Sequence, residues 1–241
     1  MKRLPDNFID LTVTSPPYDN LRNYKGFRFD FESIAHELYR ITKPGGVLVW
    51  VVGDATINGS ETCTSARQKL FFKDQVGFNV HDTMIYAKEN PIPLTHNRYE
   101  QQFEYMFILT KGKPKTFNPI LRDNKQVGAI KGGTFRQNKD EKGKRHKDVG
   151  VKKQSIKPNI WFYAVGMANS TKDKIAFSHP AIFPEQLAYD HIISWSNEGD
   201  IVFDPMCGSG TTMKMAKHLN RRFLGFDISN EYIEITKQRI I

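Results

Sequence analysis

The run Val47-Leu48-Val49-Trp50-Val51-Val52 carries no polar alternation. A strand written this way has no face to give to water, so it must lie in a sheet covered on both sides, which points to helices above and below a parallel sheet. Its surroundings agree. Residues 8–14 read as a short strand cut off by Ser15-Pro16-Pro17, where two prolines remove ladder donors. Residues 31–41 then set Ile34, Leu38 and Ile41 at helical spacing and stop before Pro44-Gly45-Gly46.

The alternation continues along the chain. A second helix is expected over 65–76, a third strand over 80–86 and a fourth over 103–109, and the loop joining the last two allows an antiparallel pair. From 111 to about 158 the periodicity gives way to Gly, Lys, Asn and Gln, which predicts an irregular insertion with few fixed elements. A helix over 184–195, a strand over 200–203, a helix over 211–219, a strand over 223–226 and a final amphipathic helix over 230–239 follow. The pattern is α/β, with a doubly wound, mainly parallel sheet of Rossmann-like type, and 241 residues suit one domain carrying an insertion. Ligands of such sheets collect at the carboxyl ends of the strands.

No stretch reaches the roughly 18 apolar residues of a membrane span and no apolar signal segment follows Met1, so a cytoplasmic protein without membrane association is expected. Cys63 and Cys207 are too few for a disulfide framework. They and His36, His81, His96, His146, His191 and His218 lack metal-ligand spacing, so no metal is expected. The net charge is +9, but its distribution says more. Residues 111–157 hold 15 Lys/Arg against 4 Asp/Glu, leaving 20 basic and 22 acidic residues elsewhere. A solvated loop would account for such a run, and so would phosphate contact.

Two motifs follow predicted strands and therefore share one rim of the sheet. In the later one, Asp204-Pro205-Met206-Cys207-Gly208-Ser209-Gly210 leads into a helix opened by Thr211-Thr212. The glycines let the backbone come close to a ligand, and the free amides of the first helical turn favour a carboxylate or phosphate. A plain helix start would look similar. Asp227, ending the next strand about twenty residues on, adds an acceptor suited to the hydroxyls of a ribose. A P-loop is excluded by the missing Gly-Lys-Ser/Thr. A nucleoside with a carboxylate fits, and S-adenosylmethionine is such a molecule.

The earlier motif is Ser15-Pro16-Pro17-Tyr18. Ser15 Oγ and the Pro16 carbonyl can accept hydrogen bonds from an exocyclic amino group, whose lone pair is otherwise delocalised into its ring, and Tyr18 can stack on a base turned out of a duplex. A polyproline ligand would also use prolines, but it would sit in a polar, exposed segment rather than after an apolar strand.

Together these motifs resemble those of the DNA amino-methyltransferases that act on cytosine N4 or adenine N6. With the catalytic motif first and the cofactor motif last, the chain is similar to the circularly permuted β class. The likeness extends to Trp161 and to His179-Pro180-Ala181-Ile182-Phe183-Pro184-Glu185, which resembles an additional cofactor-binding segment. The resemblance implies a catalytic loop of Ser15, Pro16, Pro17 and Tyr18. It implies cofactor contacts from Asp204, Pro205, Cys207, Gly208, Ser209, Gly210, Thr211 and Asp227, beside Phe183, Pro184 and Glu185. It further implies a catalytic half (1–110), a basic target-recognition insertion (111–158) and a cofactor-binding half (159–241). The partner implied is double-stranded DNA, and a homodimer and a companion restriction endonuclease are compatible with it.

Departures from the family's pattern bear on these expectations. Met206 replaces the usual Phe, and neither cysteine follows a proline, which argues against a cysteine nucleophile. Family members also carry a longer segment before the catalytic strand, including a Gly-Asp near the adenine, so adenine binding is expected to be weaker here or completed by another subunit. Serine at the first catalytic position favours cytosine N4, with adenine N6 as the alternative. Two further readings are a DNA-binding protein that has lost turnover on the same fold, and a methyltransferase for RNA or protein. The motif order and the basic insertion count against the last. Asp54 is expected either to orient substrate or to cap a turn, and Phe27, Phe29 and Phe31 either to line the base pocket or to pack.

Overall fold

The computed structural model describes residues 1–17, 29–90, 97–128, 130–131, 134–135, 144–145 and 149–241. They form two compact units, Met1–Asn118 with Asn159–Ile241, and Pro119–Pro158. The first is built on a seven-stranded sheet of β1 (Ile9–Thr14), β2 (Thr42–Val52), β3 (Asn79–Lys88), β4 (Phe103–Thr110), β5 (Ile160–Tyr163), β6 (Ile201–Asp204) and β7 (Arg222–Gly225). Their spatial order is β5–β3–β4–β2–β1–β6–β7. Every pairing is parallel except those of β4, which runs against both β2 and β3. The expected antiparallel pair is thus β3–β4, and β4 is also antiparallel to β2, within a mainly parallel sheet.

Helices cover both faces, as the unbroken apolar run in β2 requires. On one face α1 (Phe31–Ile41) and α2 (Thr64–Phe71) close over a core of Leu48, Trp50, Val52, Phe72, Phe78 and Phe107. Asp30 caps α1 by accepting from Ser33 N, and Trp50 Nε1 donates to Gln68 Oε1 of α2 at 2.8 Å. The helix expected over 65–76 ends in a π-helical turn, Phe72–Val76. On the other face α3 (Glu185–Trp195) packs against β1 and against α4 (Thr211–His218), and α4 in turn meets α5 (Asn230–Arg239).

Two parts of the sheet depart from expectation. β2 starts at Thr42 and runs through Pro44-Gly45-Gly46, which the sequence reads as a stop. The pairing with β1 shifts between Ile9–Thr42 and Leu11–Val47, and that irregularity accommodates a proline without a ladder donor. β5 was not expected at all. It adds in parallel to β3 at the sheet edge, with Trp161 and Tyr163 buried and Ile160 and Phe162 exposed.

The second unit begins later than the boundary at 111 suggested by composition. Residues 111–118 stay with the sheet unit because Gly45 N donates to Lys111 O, Lys115 N to Gly45 O and Asn118 N to Ser194 O. Within Pro119–Pro158, antiparallel pairs join Leu121–Asp123 to Gln154–Ile156, Ile130–Lys131 to Val149–Gly150, and Thr134–Phe135 to Lys144–Arg145. The insertion therefore holds more regular pairing than its composition suggests. No helix among the described residues is long and apolar enough to cross a membrane.

Candidate active site

β1 and β6 are neighbours, with Leu11 beside Val202 and Thr12 beside Phe203. From β1 the chain winds by α1 to β2 on one side, and from β6 it winds by α4 to β7 on the other. This is a topological switch point, where a crevice opens outside the carboxyl ends of the strands. Ser15-Pro16-Pro17 and the loop after Asp204 leave the sheet there, about one strand spacing (~5 Å) apart. Thr14 Oγ1 donates to Asp204 Oδ1 at 2.7 Å and fixes the two exits against each other.

The crevice is a cavity of about 870 Å³, within the range of small-molecule sites. Ser15, Pro16 and Pro17 line it. So do Pro205, Cys207, Gly208, Ser209 and Thr211 of the loop, Asp227 beyond β7, and Phe183. Tyr18 and Phe27 lie outside the described residues. Asp204, Gly210, Pro184 and Glu185 are not on the cavity wall, and neither is Trp161, whose ring packs 4.9 Å from that of His191 under α3.

The loop's shape follows from its glycines and its contacts. Gly208 and Gly210 have φ of +49° and +80°, in the left-handed region. A Cβ on Gly208 would meet His179 Nε2 at 2.8 Å, and one on Gly210 would meet Thr236 Cγ2 at 2.7 Å. Asp227 Oδ2 accepts from Gly208 N and its Oδ1 from Ser229 N, both at 2.9 Å, so the carboxylate is held at the loop with further lone pairs free for a ligand. Thr236 Oγ1 donates to Gly208 O at 2.9 Å.

Burial dominates the titration of the loop's acidic groups. It pushes the Asp204 carboxyl up to about 6, against hydrogen bonds from Thr14, Met206 N and Thr212 that favour the charged form. It pushes the Cys207 thiol up to about 12. That is a neutral thiol at physiological pH and a poor nucleophile. His179, whose ring stands 4.4 Å from that of Tyr232, is shifted down by burial.

Residues 9–238 match the family model described as DNA methylase. The orphan methyltransferase M.BamHII of Bacillus amyloliquefaciens is 57% identical, over 99% of this chain and 91% of its own. The chain belongs to the DNA methylase family. The type II methyltransferase M.HpaI of Haemophilus parainfluenzae is 32% identical over 100% of this chain and 70% of its own. Among solved structures, the cytosine-N4-specific PvuII DNA methyltransferase superposes with a TM-score of 0.73 at 20% identity, covering 100% of this chain and 82% of that one. The M1.HpyAVI complex with S-adenosylmethionine gives 0.63 at 24% identity, covering 99% and 90%. These two establish the shared methylase fold.

Several side chains at this methylase's site carry no motif signal. Arg239, in the last turn of α5, is buried beneath the loop after Asp204. Its Nη1 donates to Ser209 O at 2.6 Å, Ser209 Oγ at 3.1 Å and Thr211 Oγ1 at 3.3 Å. Its Nη2 donates to Glu185 Oε1 at 2.6 Å and its Nε to Asp173 Oδ2 at 3.0 Å. Lys214 Nζ joins the same two carboxylates at 2.8 Å each. Burial opposes the Lys214 charge, but bonds to Asp173 and Glu185 outweigh it and raise its pKa. Glu185 is thus committed to an ion network behind the loop. Asp54 accepts from Ser65 N and Oγ at the start of α2 and also reaches the cavity wall, so both expected roles are open to it. Phe29 lines the cavity with its ring stacked near Trp50, whereas Phe31 packs into the core against Phe71 and Phe72.

Proposed function

We propose that this DNA methylase transfers the methyl group of S-adenosylmethionine to the exocyclic amino nitrogen of a base turned out of duplex DNA, with cytosine N4 the favoured acceptor. The observation that carries the reading is the adjacency of Ser15-Pro16 and the Asp204–Thr211 loop at one switch point, bridged by Thr14 and Asp204.

The residues present suit the cofactor. The cavity volume fits a nucleoside-sized ligand with room for a second ring. The Asp227 carboxylate is placed to accept from ribose hydroxyls, and the left-handed turns at Gly208 and Gly210 bring backbone close without side chains in the way. Phe183, Met206, Ile228 and Tyr232 supply apolar wall. When bound, the cofactor supplies an electrophilic sulfonium methyl.

The protein's own part is positioning. Ser15 Oγ and the Pro16 carbonyl accept from the amino group, hold its nitrogen toward the cofactor side of the cavity and favour the tetrahedral form that presents a lone pair. Tyr18 is assigned to stack on the base by its place in the motif. The basic segment 111–157 is assigned to DNA, with its lysines and arginines on phosphates. Serine at position 15 supports cytosine, as does the likeness to a cytosine-N4-specific fold neighbour. A relative 27% identical is named a DNA adenine methyltransferase, so adenine N6 is the alternative that the test must separate.

Long-read sequencing of DNA from a methylation-free host expressing the chain reports base and context together. Modified cytosine in one context, absent with Ser15→Ala, is the expected result. Modified adenine replaces cytosine by adenine in the reading. Unmodified DNA from a host holding folded, cofactor-binding protein sinks it.

A further inference from the structure

The cavity wall also holds an ion pair outside both motifs. Lys88, the last residue of β3, and Glu104, near the start of β4, both line the cavity, with Lys88 Nζ 2.8 Å from Glu104 Oε1. Their side chains are 25% and 16% exposed. Tyr86 sits opposite Glu104 in the antiparallel register, is buried, and has Lys88 Nζ 5.9 Å from its ring centroid. The strand order β3–β4–β2–β1–β6–β7 puts Ser15 between this pair and the cofactor loop. β3, which carries Lys88, lies three strands from β1, about 15 Å away, but Lys88 Nζ reaches across to Glu104 on β4, two strands or about 10 Å from β1, and a base bound at Ser15 would have to bridge the remaining gap.

A partly buried ion pair adds little net stability, because desolvation offsets much of its attraction, so its place on a cavity wall suits a ligand that uses it. On the proposed reading, a base whose amino group rests on Ser15 and Pro16 presents its ring edge in this direction. Cytosine and adenine share a feature there: the ring atom next to the amino-bearing carbon is an unprotonated nitrogen, an acceptor only. Thymine presents a ring N–H on the equivalent edge and carries no amino group, and guanine presents a ring N–H on one of the two sides of its amino-bearing carbon.

We propose that Lys88, held by Glu104, donates a hydrogen bond to the ring acceptor beside the target amino group, making the pair a specificity device for amino bases with an acceptor edge. A lysine ammonium can only donate. A base with a ring N–H there leaves a buried charge facing a donor, and polar sites reject such mismatches far more strongly than apolar ones. Glu104 does not touch the base. It is a positioning residue that keeps the ammonium on the cavity wall. The inference rests on the proposed reading of the site.

The test uses the full chain, labelled S-adenosylmethionine and a duplex containing the methylated context. Lys88→Met is expected to lower kcat/KM for DNA about 100-fold, as loss of a charged hydrogen bond does, with cofactor affinity within about twofold. Lys88→Arg restores most of the activity, and Glu104→Gln falls between. The decisive substrate is a duplex whose target base has its ring nitrogen replaced by CH. Wild type loses a similar factor on it, whereas Lys88→Met loses little more. Equal penalties for both proteins, or a Lys88→Met enzyme as fast as wild type, overturn the inference and leave the methyltransferase reading standing. A wild-type protein that binds cofactor but methylates no DNA overturns both.

Discussion

Arg239 Nη1 and Ser209 O lie 2.6 Å apart, so the last turn of the last helix holds the backbone of the loop after Asp204 from behind. The guanidinium also satisfies Glu185 and Asp173, which with Lys214 form a network of two cations and two carboxylates. Removing Arg239 leaves a buried carbonyl without its charged donor. Arg239→Met is expected to weaken S-adenosylmethionine binding at least tenfold in a calorimetric titration, since a lost charge-assisted bond is worth about 1.5–3 kcal/mol. Arg239→Lys should recover part of it, and kcat at saturating cofactor should change much less. An unchanged affinity with only a lower unfolding temperature would reduce Arg239 to a purely structural role.

Asp204 gives a pH signature of its own. The folded state holds this carboxyl up at about 6 while its ordinary value is 3.8, so the folded chain keeps a proton that the unfolded chain releases. Its contribution to stability is therefore largest below about pH 4, declines as pH rises through about 6, and is constant above. The full difference is about 3 kcal/mol. Asp204→Asn, which cannot titrate, should gain stability relative to wild type across that window in paired denaturant melts at pH 4.5 and 7. A difference that stays flat between the two pH values would contradict the buried, raised carboxyl.

Where one apolar period dominates, the sequence was enough: α1 and α5 fall on 31–41 and 230–239, and β1, β6 and β7 lie within a residue or so of their expected ends. The rim was legible for the same reason, since both motifs break off directly after apolar strands. β5 escaped notice because four residues carry too little pattern to separate strand from loop. Lys88 and Glu104 escaped because only the antiparallel register of β3 and β4 brings them together. Arg239 looks like an ordinary solvated charge on a helix end, and its partners lie far away in sequence, on α3, on α4 and before them. The resemblance implies Glu185 beside the cofactor, and its contacts in the structure are with Thr171, Lys214 and Arg239.

The two cysteines should behave differently toward alkylation. Cys63 is exposed, while Cys207 is buried with its thiol pushed up to about 12. Iodoacetamide at pH 7.5 should therefore label Cys63 alone in the native protein, and Cys207 only after denaturation, as read by peptide mass spectrometry. Rapid native labelling of Cys207 would reopen the question of a thiolate in the site.

Gly210 offers the sharpest test of the loop. Its φ of +80° is strained for any residue with a Cβ, by about 1–2 kcal/mol. The added methyl would also meet Thr236 Cγ2 and Oγ1 at 2.7 Å, and Thr236 is the residue that donates to Gly208 O. Gly210→Ala should thus displace Thr236, release the Gly208 carbonyl and open the turn. The expected outcome is a loss of S-adenosylmethionine affinity of about 10-fold or more, from the combined strain and lost bond. Because the clash is with the Thr236 side chain, Gly210→Ala combined with Thr236→Ser should bind the cofactor better than Gly210→Ala alone. If the second substitution recovers nothing, the Cγ2 contact is not what limits the loop, which leaves backbone strain at position 210 and the Oγ1 contact.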